Sequence, residues 1–297
     1  MIAMVLTAIF ILIVVMVGFS AGFNKASRSS LEEWSVGGRK LGPFLVWFLI
    51  GADTYSAATF LGITGYAYNF GAPAFYGIAY LAMAYPLGYF ILPRLWRFAK
   101  ERNLTTIADY ARVRYNSRVV SVLVSLTSLC FLIPYIDLQL TGITGVVKVA
   151  GQGVFKDSAS VGVAALVISF ALVAFYTFFS GLRAPAWTAV IKDALVWIVL
   201  ITMMLTIPFI WFHGWGSMFS VALQKIPNML TLHAGPHDSI WFSSTALMTA
   251  MALFMWPHSS TGAFSSRSEE ALRKSMLYLP FYNLLVFFLT WLGIVDP

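Results

Sequence analysis

Runs of about twenty apolar residues recur along this chain, separated by short stretches rich in Gly, Pro, Asn and basic residues. A run of that length is what an α-helix needs to cross the hydrocarbon core of a bilayer, roughly 20 residues. Inside lipid the backbone must satisfy its own polar groups, and a helix does so within one segment. The balance of the chain agrees. Hydrophobic residues make up 59% and charged residues 10%, against about 25% charged in a soluble domain. A water-soluble globular fold, a disordered chain and a collagen-like rod are all excluded. Cys130, the single cysteine, lies in an apolar run, which excludes a disulfide framework. The net charge of +7 does not indicate nucleic acid, because the basic residues are not gathered on one soluble face.

The pattern predicts an all-α polytopic membrane protein of about eight transmembrane helices, over 2–23, 42–67, 73–98, 119–147, 160–181, 185–212, 240–263 and 276–295. Turn chemistry lies between them, as in Asn69-Phe70-Gly71-Ala72-Pro73 and Ala234-Gly235-Pro236-His237-Asp238. With no Gly/Ser/Pro linker along the chain, residues 1–297 read as one transmembrane domain. Of nineteen Lys and Arg residues, four fall in the first loop, seven in the third, two (Arg183 and Lys192) in the fifth and three in the seventh. Only Lys148, Lys156 and Lys225 fall on the other side. The positive-inside rule then makes the odd-numbered loops cytoplasmic and the N-terminus external. Met1–Phe23 lacks a basic n-region, and its apolar run is longer than a signal-peptide core, so it reads as an uncleaved first span.

A charge within the bilayer usually faces a cavity or a partner. Three acids qualify: Asp53, Asp137 and Asp193. Asp53 sits in Gly51-Ala52-Asp53-Thr54-Tyr55-Ser56-Ala57-Ala58-Thr59, a weakly helical, hydroxyl-rich stretch in mid-span. A broken helix has this composition, and its freed carbonyls and hydroxyls suit a hard cation such as Na⁺. Small-residue helix packing is the alternative, and the acid tips the reading toward a functional site. Asp137 lies in Ile133-Pro134-Tyr135-Ile136-Asp137-Leu138-Gln139. There Tyr135 and Gln139 share a face at i, i+4 spacing, either lining a solute cavity or flanking an ordinary proline kink. Asp193 follows Lys192 near the expected helix start and is read as half of an interfacial pair. Trp256-Pro257-His258-Ser259-Ser260-Thr261-Gly262 is a second candidate break, with His258 free to bond solute or titrate. A kinked helix with a satisfied buried histidine is the alternative there.

Enzyme signatures are absent: no HExxH, no Cys-x-x-Cys and no glycine-rich phosphate loop. His213, His233 and His237 share one loop, but Gly235-Pro236 breaks the helical spacing a metal pair would need. That loop reads as solvated.

Several segments together resemble the sodium:solute symporter family. Trp34-Ser35-Val36-Gly37-Gly38-Arg39-Lys40-Leu41-Gly42 is similar to the family's cytoplasmic segment before its second helix. Asp53 falls where proline-transporting members carry a sodium-linked aspartate. Thr106-Ile107-Ala108-Asp109-Tyr110 resembles the next cytoplasmic loop. Tyr176-Thr177-Phe178-Phe179-Ser180-Gly181-Leu182-Arg183-Ala184, with Trp187-Thr188, resembles the family signature. Two departures stand out: Ser180-Gly181 replaces a glycine pair, and Ala189 replaces the Asp that many members have. The Pro257-His258 pair fits the family's broken seventh helix.

The resemblance implies a partial LeuT-like inverted-repeat fold. Residues 1–23 would be a leading helix, 42–212 the first five-helix repeat and 240–297 an incomplete start of the second. The family's sodium site is completed from a ninth helix, so the chain reads as an N-terminal fragment. The resemblance further implies sodium-coupled symport of a small organic solute. It sets Na⁺ near Gly51, Asp53 and Thr54, with Tyr55, Ser56, Tyr135, Gln139, Trp256 and His258 as solute contacts. Glu32-Glu33-Trp34 through Lys40 and Met255-Trp256-Pro257-His258 look most like monocarboxylate carriers for pyruvate or lactate. Proline- or pantothenate-type solutes are alternatives, as is a transporter-like sensor module preceding a kinase. A bacterial inner membrane is the expected location.

Overall fold

A computed structural model describes residues 2–22, 30–150, 158–232 and 235–295. Apart from one isolated bridge between Leu41 and Ser266, its regular elements are helical. α1 (Ile2–Gly22) is an uninterrupted apolar helix. α2 (Leu31–Val36) starts on Ser30, whose hydroxyl accepts the Glu33 N–H at 3.2 Å, and stops at left-handed Gly37. α3 (Pro43–Gly51) begins with a proline in its first turn, where no N–H is needed. The span then breaks. Residues 52–56 form turns, Ala58–Ile63 form a π-helix, and α4 (Thr64–Phe70) completes the crossing.

α5 (Tyr76–Glu101) runs through Pro86 and Pro93. α6 (Ile107–Tyr115) carries a capping box between Thr106 and Asp109 and ends on left-handed Asn116. α7 (Arg118–Ala150) stays helical through Pro134. α8 (Ser158–Ser180), α9 (Arg183–Phe212) and α10 (Trp215–Lys225) follow. The Asp238 carboxylate accepts the Trp241 N–H at 2.8 Å to start α11 (Ser239–Ala252). α12 (Pro257–Phe264), α13 (Glu269–Tyr278) and α14 (Pro280–Val295) complete the described chain.

Four stretches are long and apolar enough to cross a membrane: Ala72–Glu101, Arg118–Val149, Arg183–Phe212 and Glu269–Val295. A fifth is α11 with α12, bent by 53° at Trp256. Shorter apolar stretches, Ile9–Ser20 and Phe170–Ser180, lie in α1 and α8. The eight spans expected from the sequence are therefore four to five by this measure. The three not marked are the second span, which is cut into pieces too short to cross alone, and α1 and α8, which count only through those shorter described stretches. The expected loop position of Lys192 and the interfacial position of Asp193 are also corrected. Both lie inside α9, and Asp193 is fully buried.

α5 packs against α11 and α13, α14 against α4 and α5, and α3 between α9 and α13. Leu81, Leu92, Leu200, Met276 and Tyr282 fill the space between them. α1 lies along α8 and α9.

At the end of the bundle rich in Lys and Arg, the motif segments meet. Glu33 is buried and bridges Lys40 and Arg183, the latter at 2.7 Å. The Leu182 N–H donates to Trp34 O at 2.9 Å, and the Trp34 indole donates to Phe178 O. Gly181 has φ +57°, and a Cβ there would run into the Trp34 backbone, so glycine is required on both counts. Buried Arg39 donates to Leu104 O at 2.6 Å and Phe264 O at 3.4 Å, and its Nε to Glu32. One clamp thus joins α2, the start of α9, the end of α12 and the turn after α5.

Candidate functional site: the interrupted second span

The sequence Gly51-Ala52-Asp53-Thr54-Tyr55-Ser56 cannot hold a helix against its surroundings. The ring of Tyr282 lies where a Cβ on Gly51 would point, so only glycine fits at the last residue of α3. The turn consumes some of the freed backbone groups. Thr54 N–H donates to Gly51 O at 2.9 Å, and the Thr59 hydroxyl bonds Thr54 O. Two other carbonyls, Ala52 O and Tyr55 O, accept from the Lys192 ammonium at 2.8 and 2.9 Å. Beyond the break, the Ala57 N–H donates to Gln139 Oε1 at 2.9 Å. A residue on α7 therefore caps a backbone donor that the break would otherwise orphan.

Asp53 points toward the start of α12. The Ser259 hydroxyl donates to its Oδ2 at 2.8 Å, and His258 Nε2 lies 3.7 Å from the same oxygen. The bend at Trp256 makes this possible. Trp256 precedes a proline and is extended (φ −65°, ψ 139°), the conformation such a residue is driven to. α12 therefore starts anew at Pro257 and presents His258 and Ser259 across from Asp53. Tyr135 stacks on His258 at 5.1 Å and meets Trp256 edge-on at 5.4 Å.

Of the residues expected to bind solute, Tyr135, Trp256 and His258 are thus one aromatic group. Tyr55, Ser56, Tyr135 and Gln139 line a cavity of about 700 Å³. Asp53 and His258 line another of about 710 Å³. Ala52, Tyr176 and Lys192 border both. Tyr55 is nearly sealed against Tyr282, with ring centroids 4.6 Å apart and its hydroxyl donated to Tyr282 O at 3.2 Å. Of the residues expected near sodium, Gly51 and Thr54 are buried. The Thr54 hydroxyl lies 3.4 Å from that of Tyr85. His258 Nδ1 and Gln139 Nε2 are buried polar atoms with no hydrogen-bond partner. Asp137 is exposed on the face of α7 opposite Tyr135 and Gln139, as expected two residues from each at 3.6 residues per turn. His237 is half-buried among Tyr66, Phe70 and Trp241 rather than solvated. His233 lies outside the described residues.

Sequence reading missed Lys192, Asp193 and Tyr282 as site residues. Lys192 Nζ is 3.3 Å from Asp193 Oδ1, and the Tyr282 hydroxyl donates to Asp193 Oδ2 at 2.7 Å. The signal for the first two was present, because a Lys-Asp pair interrupts an otherwise apolar helix. Tyr282 gives no such signal. Among the described residues no three His, Cys, Asp or Glu side chains gather as a transition-metal site would require.

The chain has known relatives. The model of a family described as "Sodium:solute symporter family" matches residues 34–295. The chain belongs to the sodium:solute symporter family. It is 47% identical over 294 residues to the uncharacterized symporter YodF of Bacillus subtilis (strain 168), covering 99% of this chain and 58% of that protein. It is 34% identical over 287 residues to a monocarboxylate transport permease protein of Rhizobium johnstonii (strain DSM 114642 / LMG 32736 / 3841), covering 96% and 57%. The chain thus spans somewhat over half the length of these relatives, and both are transporters. A solved Na⁺-coupled sialic acid symporter, in a substrate-bound outward-open state, superposes with a TM-score of 0.79 at 17% identity, over 99% of this chain and 60% of that one. That likeness shows the fold. As a sodium:solute symporter family member, the chain is an integral membrane protein with a partial LeuT-like helical architecture.

Proposed function

We propose that this chain forms the cation- and solute-binding half of a sodium-coupled secondary active transporter. Residues 42–212 would be the first five-helix repeat and 240–297 the start of the second. In this reading Na⁺ from outside meets Asp53 beside the broken backbone at Gly51 and Thr54. It stabilises a state that accepts a small organic solute, and the loaded carrier rocks inward. The observation that carries the reading is a carboxylate in an interrupted span, facing a second break that brings His258 and Ser259 to it. Two interruptions facing each other bring polar groups to mid-span without exposing backbone to lipid. A potential of 100 mV gives about 2.3 kcal/mol per charge moved. One sodium would then sustain roughly fiftyfold accumulation of a neutral solute.

The solute we propose is a small monocarboxylate. A relative at 34% identity bears that name, and the cavities offer a carboxylate suitable donors. These are the orphaned Gln139 amide nitrogen and His258, whose Nδ1 is also unpartnered. The aromatic wall of Tyr135 and Trp256 would take the short apolar remainder. The basic end of the bundle would face the cytoplasm of a bacterial cell, with the N-terminus outside.

The test is uptake by the natural protein in proteoliposomes under an imposed sodium gradient. Asp53→Asn removes the charge of one cation ligand, an interaction of about 1.5–3 kcal/mol. Half-saturating sodium should therefore rise by about tenfold or more. Unchanged sodium dependence would reject the role of Asp53. His258→Ala should weaken solute affinity more than sodium affinity, and the reverse ordering would show the cavity is misassigned. Competition by pyruvate and lactate is expected. Competition by proline or pantothenate alone would replace the monocarboxylate reading.

A further inference from the structure

The break frees carbonyl oxygens, and a cation of the protein's own already sits on two of them. The Lys192 ammonium reaches from α9 to Ala52 O at 2.8 Å and Tyr55 O at 2.9 Å, with Asp193 Oδ1 at 3.3 Å. An ammonium has three N–H donors and no acceptor; two go to the carbonyls, and the charge is paired with Asp193 Oδ1, a buried oxygen that accepts no hydrogen bond. Asp193 is fully buried, and its other oxygen is held by Tyr282. The cradle is therefore all oxygen, carries one formal negative charge and is fixed in place by two helices and a tyrosine. Two carbonyls and a carboxylate are the ligand chemistry of a hard alkali-metal ion. Both cavities border Lys192, and about a third of its side chain is exposed to them, so an ion can reach the position.

We propose that the Ala52–Tyr55–Asp193 cradle is a latent monovalent-cation site that Lys192 fills with a tethered charge, closing it to sodium. The inference goes beyond the symport reading, which places sodium at Asp53, and it does not depend on which solute is carried. The competing explanation is that Lys192 merely caps the last carbonyls of α3, a common use of lysine at a helix end. The two differ in what an added ion does when the side chain is removed.

The experiment is thermal unfolding of the natural protein, purified in detergent, in sodium chloride and in choline chloride at equal ionic strength. Four forms are compared: wild type, Lys192→Ala, Lys192→Arg and the double variant Lys192→Ala/Asp53→Asn. A vacated cradle binds sodium in the folded state, so the Lys192→Ala melting temperature should rise with sodium concentration more steeply than that of wild type. Lys192→Arg, which keeps a tethered cation, should not show the added rise. In the double variant the added rise should persist, because it arises away from Asp53. If Lys192→Ala is stable only when prepared in sodium, that rescue supports the same conclusion. Equal sodium responses of Lys192→Ala and wild type would overturn the proposal. So would a Lys192→Ala protein that fails to fold in either salt. A flat response in wild type alone would count against sodium at Asp53 and leave the Lys192 comparison intact.

Discussion

Asp53 and Asp193 lie about one hundred and forty residues apart in sequence, yet both are carboxylates held among apolar helices, and their surroundings divide their tasks. Asp53 is half-buried and bonded to a single hydroxyl, so it has room for a further ligand. Asp193 is sealed, with Lys192 on one oxygen and Tyr282 on the other. Removing a partner from a buried carboxylate is costly because the group cannot turn to water. Tyr282→Phe keeps the ring that packs on Tyr55 and Gly51 but removes the donor. It should destabilise the folded protein by about 1–3 kcal/mol, read as a lowered melting temperature in detergent. Asp53 was legible in the sequence because an acid among Gly, Thr and Ser in mid-span has few structural uses. The Asp193 arrangement was not. Lys192 and Asp193 both fall inside the expected span 185–212 and the observed α9, but nothing along the chain shows that the broken backbone at Ala52 and Tyr55 and the hydroxyl of Tyr282 meet them there.

At the scale of elements, the two interruptions were anticipated from composition, and the structure supplies their causes. Where α3 ends, Tyr282 occupies the space beside Gly51 and admits no side chain there, and the Lys192 ammonium takes the carbonyls of Ala52 and Tyr55 that the break leaves free. α12 starts afresh because Pro257 forces Trp256 out of the helical region. Pro257→Ala should leave α12 intact, since its first turn needs no proline. It would free Trp256 to continue α11 and draw His258 away from Asp53. Sodium-dependent uptake should fall while the melting temperature changes little, and retention of full uptake would show that the bend has another cause. The signature around Gly181 is explained in the same way. Gly181→Ala would combine a left-handed backbone with a collision against Trp34. A loss of at least about 1 kcal/mol is expected, measured as reduced thermal stability or yield. The motif was visible in the sequence; that its purpose is a close backbone approach to another motif was not, because the partner lies far away along the chain.

On the scale of the molecule, the clamp around Glu33 and Arg39 fastens one end of the bundle while the cavities lie toward its middle. Burial alone would raise the Glu33 carboxyl, but Lys40 and Arg183 outweigh it and hold the group below its ordinary value of 4.5. A carboxyl with a lowered pKa in the folded state stabilises the fold fully above its unfolded value, and that contribution is lost as pH falls through the folded value. Wild type should therefore lose stability relative to Glu33→Gln as pH is lowered below about 4.5. Parallel pH profiles of the two proteins would show that the clamp adds no such term. Helical class, broken spans and family were all readable from the chain. Four to five of the expected crossings are long and apolar enough by themselves among the described residues, and apolar length does not reveal where a break such as that after Gly51 cuts a helix.

The second span is two stiff rods joined by half a dozen residues, and their joint is held by a charge. In mechanical terms the Lys192 ammonium is the pin of a lever. If the outer arm tilts against the inner one, the carbonyls on the joint shift relative to whatever they grip, and a change in grip in turn moves the arms. If the proposed transporter loads an ion at that joint, loading and motion would be one event, and no separate messenger would be needed to carry news of the ion to the rest of the bundle.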